Sequence, residues 1–168
     1  NIKKRIRIFK NKIIEVDGDK SLSIRFAILA ALAKGKSKAF NLLNSEDVIN
    51  TLNSLKKLGV KIKNKKKICE IDGNGLNSFK FKKNLTLDVG NSATAARLLT
   101  SVLAGSKKTI KITGDNSLKK RDMKRITGPL KKFGVKFKKN NGFLPLWIKG
   151  SHSLKPINYK ELKGSAQC

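Results

Sequence analysis

Two runs of the chain alternate apolar and polar positions in the same way, 75 residues apart. Leu55-Lys56-Lys57-Leu58-Gly59-Val60-Lys61-Ile62-Lys63 recurs as Leu130-Lys131-Lys132-Phe133-Gly134-Val135-Lys136-Phe137-Lys138. In each, a helical period closes at Gly and a strand-like alternation starts. Upstream, Arg25-Phe26-Ala27-Ile28-Leu29 lines up with Arg97-Leu98-Leu99-Thr100-Ser101 at an offset of 72. The chain therefore reads as a duplicated unit of strand, helix, strand, helix, strand, strand. In the first unit the pattern predicts a strand over 13–16, an Ala- and Leu-rich helix over 21–33 and a strand over 38–42. A helix over 45–58 follows, capped by Ser45 and closed by Gly59, and then a hairpin of 60–63 with 68–71. The second unit predicts strand 85–89, helix 92–103, strand 109–112, helix 117–133, and strands 135–138 and 146–149. Residues 154–159 would start a third unit. Helices alternating with strands indicate an α/β (α+β) layering, with apolar helices packed under sheets.

Composition changes this picture little. The chain has 168 residues and 39% hydrophobic content, enough for one core. No stretch approaches the roughly 20 apolar residues of a membrane span. The basic N-terminus leads into Ile13-Ile14-Glu15-Val16 and not into a signal peptide. The first residue is not Met, and the chain stops at Ser165-Ala166-Gln167-Cys168, so both ends read as cut from a longer chain. Cys69 and Cys168 lie far apart without a Cys or His at metal spacing, which suits reduced thiols in a cytosolic protein. His152, the single histidine, sits in a Gly-Ser-His-Ser loop and reads as surface.

The charge demands an explanation, since 39 Lys and Arg face 11 Asp and Glu for a net +28. A nucleic-acid partner is one reading. The lysines, however, run along the whole chain, mixed with Asn and Ile and not interleaved with aromatics. That distribution suits solvated surface, on which Lys has replaced other polar residues. The field still draws anions toward a cleft.

Two segments look ready for such anions. Gly18-Asp19-Lys20-Ser21-Leu22-Ser23-Ile24-Arg25 and Asp88-Val89-Gly90-Asn91-Ser92-Ala93-Thr94-Ala95-Ala96-Arg97 each open an apolar helix just after a strand. Free N–H groups and the positive dipole end converge there with a cation. Ser21 and Arg25, four apart, share a face. The plainer reading of the first is an ordinary cap with solvated cations, and of the second ordinary turn chemistry, with Asn91 or Ser92 capping the helix. Arg121, within Lys119-Lys120-Arg121-Asp122-Met123-Lys124-Arg125, lies near a helix start, or simply on a solvated basic face. Local sequence assigns Ser165 and Gln167 no role. No Ser-His-Asp or Cys-His set, Walker loop or metal site is visible.

In this order the motifs resemble the 5-enolpyruvylshikimate-3-phosphate synthase family. The segments that match are Gly18 to Arg25, Ser45-Glu46-Asp47-Val48, Gly90 to Leu99, Gly114 to Met123, Leu144-Pro145-Leu146 and Ser165-Ala166-Gln167. The resemblance spans essentially the whole chain. It implies two domains of three βαβαββ units each, an inside-out barrel with the active site between them. Residues 1–13 would belong to the second domain. Residues 14–168 would form an incomplete N-terminal domain, with units at about 14–78 and 79–150 and the start of a third at 151–168. It also implies transfer of the enolpyruvyl group of phosphoenolpyruvate to the 5-hydroxyl of shikimate 3-phosphate, with release of phosphate, by a cytoplasmic monomer. No metal or organic cofactor, nucleic acid or membrane would be involved.

By position, Lys20 would be catalytic, contacting phosphoenolpyruvate and handling a proton. Lys20, Ser21, Arg25, Ser165 and Gln167 would bind shikimate 3-phosphate. Lys20, Asn91, Ala93, Arg121 and Gln167 would line the phosphoenolpyruvate side. Asp17 replaces the family's usual Pro. Ala93 replaces a common Gly, as in the glyphosate-insensitive class, so the parent enzyme is expected to tolerate glyphosate. The family's acid–base residues of the second domain lie beyond residue 168, so the fragment alone is expected to be inactive. The related transferase acting on UDP-N-acetylglucosamine fits less well: it lacks Gly-Asp-Lys-Ser and uses a loop Cys, whereas Cys69 falls in a strand. The alternative from another class is a basic nucleic-acid-binding module.

Overall fold

The computed structural model describes residues 18–65, 67–76, 78–138, 142–151 and 153–160. The strand expected over 13–16, the segment 1–13, Asp17, His152, Ser165, Gln167 and Cys168 lie outside the described residues. Helix α1 spans Lys20–Leu32, and its cap is Asp19, whose carboxylate accepts the Leu22 N–H at 2.7 Å. Ser21, a candidate cap, is the helix's second residue. Ile24, Ala27, Ile28 and Ala31 are buried, while Leu22 and Leu29, seven residues apart on one stripe, stay exposed at 69% and 65%.

Strand β1, Lys34–Phe40, begins earlier than the expected 38–42. It pairs antiparallel with β3, Ile68–Asn74, from Lys34↔Asn74 to Phe40↔Ile68. Main-chain pairing thus carries the strand through Lys34-Gly35-Lys36, where no apolar alternation marks it. Helix α2, Glu46–Lys57, turns Val48, Leu52 and Leu55 inward. Gly59, at φ +88°, closes it, and the Val60 N–H donates back to the Leu55 carbonyl at 3.1 Å. Ser45 holds the N-cap position without a side-chain capping bond; Glu46 and Asp47 meet the helix dipole instead. Strand β2, Lys61–Lys65, completes a sheet of order β1-β3-β2.

The second unit repeats this order. Strand β4, Leu85–Asp88, leads through α3, Ala93–Val102, and a 3-10 turn, Leu103–Gly105, to β5, Thr109–Thr113, which lies parallel to β4. The single helix expected over 117–133 is two: α4, Asn116–Lys119, and α5, Lys124–Lys132. Asp115 caps the first, accepting the Leu118 N–H at 2.6 Å, and the Asp122 carboxylate accepts the Lys124 N–H at 2.6 Å. Between them the chain turns to bury Met123, whose N–H donates to the Gly142 carbonyl at 2.7 Å. Strands β6, Lys136–Lys138, and β7, Leu146–Lys149, complete the order β4-β5-β7-β6.

The repeat extends to single hydrogen bonds. Lys80 N–H donates to the Leu58 carbonyl at 2.9 Å, and Lys155 N–H, 75 positions on, donates to the Phe133 carbonyl at 3.0 Å. Residues 153–160 hold no strand. They are the counterpart of the connector that precedes β4. Helix α2 packs on both α1 and β4, and one core cluster includes Ile24, Leu55, Ile71, Leu87, Leu99 and Ile110.

At the far ends of α1 and α3 the sheets touch the helices main chain to main chain. A Cβ on Gly73 would overlap the carbonyl oxygens of Ala30 and Ala33, and one on Gly150 that of Ala104. The ends of these same strands are tied there too: Gly75 N–H donates to the Ala33 carbonyl and Ser151 N–H to the Ala104 carbonyl, both at 2.8 Å. Gly73→Ala and Gly150→Ala should each lower stability by about 2–3 kcal/mol, the cost of overpacking a closed contact. Urea unfolding will read this as a lower midpoint at constant slope. Unchanged midpoints would mean that helix and strand part there without cost.

Candidate anion site at paired helix starts

The starts of α1 and α3 both border the first turn of α2. Lys20 Nζ lies 3.2 Å from Asp47 Oδ2. Gly90, just before α3, packs against Asn50 and Glu46 of the same turn and the next. Consecutive carboxylates of α2 thus face the two helix starts that the motifs single out. The Lys20–Asp47 side chains are 52% and 20% exposed, so the pair contributes little stability. Its effect is to hold an ammonium beside the N-terminus of α1.

Ser21 and Arg25 share a face as expected, both half-buried, and Arg25 Nη1 donates to the Ser21 carbonyl at 3.2 Å. Ser23, one turn in, is buried and accepts the Leu43 N–H at 3.1 Å, fixing the loop before α2.

At the second helix start, Ser92 is the cap, accepting the Ala95 N–H at 3.2 Å. Asn91 is thereby left to bridge. Its Nδ2 donates to Asp115 Oδ2 at 2.7 Å, and its Oδ1 accepts from Arg121 Nη2 at 3.1 Å. Arg121 sits in the turn between α4 and α5 and is exposed. Ala93 is the first residue of α3 and half-buried. Arg97 Nη2 donates to the Asp122 carbonyl at 3.4 Å, tying the α4–α5 turn to α3. The structure therefore joins Asn91 to Arg121 directly and sets Lys20 beside the same α2 turn that Gly90 touches. Ser165 and Gln167, as above, fall outside the described residues.

Two residues of the site escaped the motif reading as individuals, Asp47 and Asp115. A signal was present: in a chain with 11 acidic residues against 39 basic ones, both stand at helix starts. The Leu118 N–H, first, and then the Asn91 amide, the Ser117 N–H and the Arg121 charge hold the Asp115 carboxyl below its ordinary range. Cys69 is buried in β3 and burial pushes its thiol up, so it is no loop nucleophile.

An open polar groove of about 580 Å³ lies beside Gly90, lined by Glu46, Asn50, Asn53, Lys57 and Asp88. A more enclosed cavity of about 330 Å³ is apolar and sits among Leu32, Phe79, Phe81 and Val102. It lies at the C-terminal ends of α1 and α3, so it has no part in the chemistry of their starts. Among the described residues no helix is long and apolar enough to cross a membrane.

Duplicated α/β units whose helix starts gather cations define a class of fold whose helix starts are suited to small anions. The comparisons narrow the class. The family model described as EPSP synthase (3-phosphoshikimate 1-carboxyvinyltransferase) matches residues 7–168. A 3-phosphoshikimate 1-carboxyvinyltransferase of Streptococcus mutans is 43% identical over 156 residues, 92% of this chain and 36% of that protein. The Streptococcus suis protein of the same name is 44% identical over the same shares. A solved EPSP synthase from Acinetobacter baumannii superposes with a TM-score of 0.85 at 36% identity, over 92% of this chain and 35% of that one. The chain belongs to the EPSP synthase family, and spans about 36% of the length of these curated relatives.

The depressed Asp115 value sets a pH dependence. The unfolded chain takes up this proton first as pH falls. The stabilisation is thus complete above the unfolded aspartate value and is lost as pH falls through the folded one. The melting-temperature gap between the protein and Asp115→Asn should be full near neutrality and close in acid. A gap that widens toward low pH would contradict the hydrogen-bonding scheme.

Proposed function

We propose that the complete protein transfers the enolpyruvyl group of phosphoenolpyruvate to the 5-hydroxyl of shikimate 3-phosphate and releases phosphate. Membership in the family supports the reading, and the observation that carries it is the bridge from Arg121 through Asn91 at the start of α3, with Lys20 held by Asp47 at the start of α1. Two anionic substrates repel each other. Cations and amides fixed before they arrive offset that repulsion without reorganising, which is where such a site lowers a barrier. In this reading Lys20 touches phosphoenolpyruvate and takes part in moving a proton. Ser21 and Arg25, with Ser165, hold shikimate 3-phosphate. Asn91, Ala93 and Arg121 line the phosphoenolpyruvate side, with Gln167 between the substrates. The protein works as a cytoplasmic monomer on these small anions, and its remaining acid–base residues belong to the other domain.

Phosphate release by the complete protein, dependent on both substrates, is the test. Shikimate 3-phosphate at about 100 times its dissociation constant should stabilise the complete protein by about 2.7 kcal/mol. No response to it, together with DNA affinity that falls steeply with salt, would favour a nucleic-acid-binding module instead. Residues 1–168 alone should show no turnover, because half a cleft cannot surround the transition state. Ala93→Gly removes a methyl from the phosphoenolpyruvate side and should make the complete protein more sensitive to glyphosate. Equal inhibition of both forms would remove Ala93 from that role.

A further inference from the structure

We infer that Asp115 is the positioning residue of the phosphoenolpyruvate side, setting the Arg121 guanidinium through Asn91. The inference rests on the function proposed above and assigns a residue to which that proposal gives no role.

Asp115 is anchored three ways. Its N–H donates to the Gly90 carbonyl at 3.0 Å, its Oδ1 accepts the Leu118 N–H at 2.6 Å, and its Oδ2 accepts from Asn91 at 2.7 Å. Gly114 adds to the contact, since a Cβ there would overlap the Gly90 carbonyl oxygen. Main chain and side chain together therefore lock residues 114–115 onto the turn at 90–91. The Asn91 amide then has one workable orientation. A carboxylate only accepts and a guanidinium only donates, so Nδ2 must face Asp115 and Oδ1 must face Arg121. Flipping the amide would turn both contacts repulsive.

The neutral amide in the middle matters. A carboxylate placed directly on Arg121 would fix the guanidinium but would cancel much of the charge meant for the anion. Asn91 passes on the orientation and keeps the negative charge of Asp115 one residue away. The bond to Asn91 uses one of the five guanidinium N–H donors. An exposed Arg in a turn is otherwise free to sample many rotamers, so holding it beforehand saves ordering when the anion arrives.

The test is steady-state kinetics of the complete protein with Asp115→Asn. An Asn still caps α4 through its single carbonyl oxygen, but it cannot also accept from Asn91. KM for phosphoenolpyruvate should rise about tenfold, the scale of one charge-assisted hydrogen bond. KM for shikimate 3-phosphate should stay within about twofold, because Lys20, Ser21 and Arg25, the described residues proposed to hold it, lie on α1. Asn91→Ala should show the same selective loss, and the double variant should be no worse than Asn91→Ala alone. A merely structural residue would raise both constants together. An unchanged KM for phosphoenolpyruvate, or losses that add, overturns the inference. Should the unaltered protein show no enolpyruvyl transfer, the proposed function fails, and the Asp115–Arg121 link is then read from the Arg121 side-chain nitrogen resonances. These should shift in Asp115→Asn; an unchanged spectrum overturns the link as well.

Discussion

At Gly73 and Gly150 a strand end lies against the last turn of a helix with no side chain between them. Only a residue without Cβ permits that approach, and the hydrogen bonds beside it, Gly75 to Ala33 and Ser151 to Ala104, lock the depth of contact. A helix of 13 residues is about 20 Å long and stiff. Fixing its C-terminal end against a sheet therefore also places its N-terminal end. Both helix starts inherit their positions from these distant contacts, and α2, packed on α1 and β4, keeps the two units in one frame.

Within that frame the electrostatics are sparing. The surroundings are strongly cationic, yet the cations at the helix starts are not left to mutual repulsion. Asp47 pairs with Lys20, and Asp115 is linked to Arg121 through Asn91. One carboxylate pairs directly with a residue that is expected to handle a proton. The other acts through a neutral amide on a residue proposed to meet a ligand. The difference follows from what each cation has to do: a direct pair holds an ammonium in place, while an intervening amide leaves the guanidinium its full charge.

Much of the fold was legible in the chain because its signals are local. Leu55 to Lys63 and Leu130 to Lys138 announce a helix end, an αL glycine and a strand within nine residues, and the structure repeats them bond for bond. The break between α4 and α5 was not legible, because the burial of Met123 and its bond to Gly142 are tertiary events. Nor was the early start of β1, a polar stretch recruited by β3. The site divides the same way. Lys20, Asn91 and Arg121 stood out through the order of motifs resembling a known family. Their partners did not, since Asn91 meets Asp115 across 24 residues and Arg121 across 30, distances that no period in a sequence reports.

The stripe of Leu22 and Leu29 on α1 has a colloidal consequence. Uncovered leucines on a rigid helix attract like surfaces, while a net charge of +28 drives copies apart. The reach of that repulsion is about 8 Å in physiological salt and about 3 Å at 1 M. Ionic strength thus decides which force a neighbouring copy meets first. Low salt lets charge keep neighbouring copies apart, and high salt gives exposed apolar side chains such as these leucines more weight.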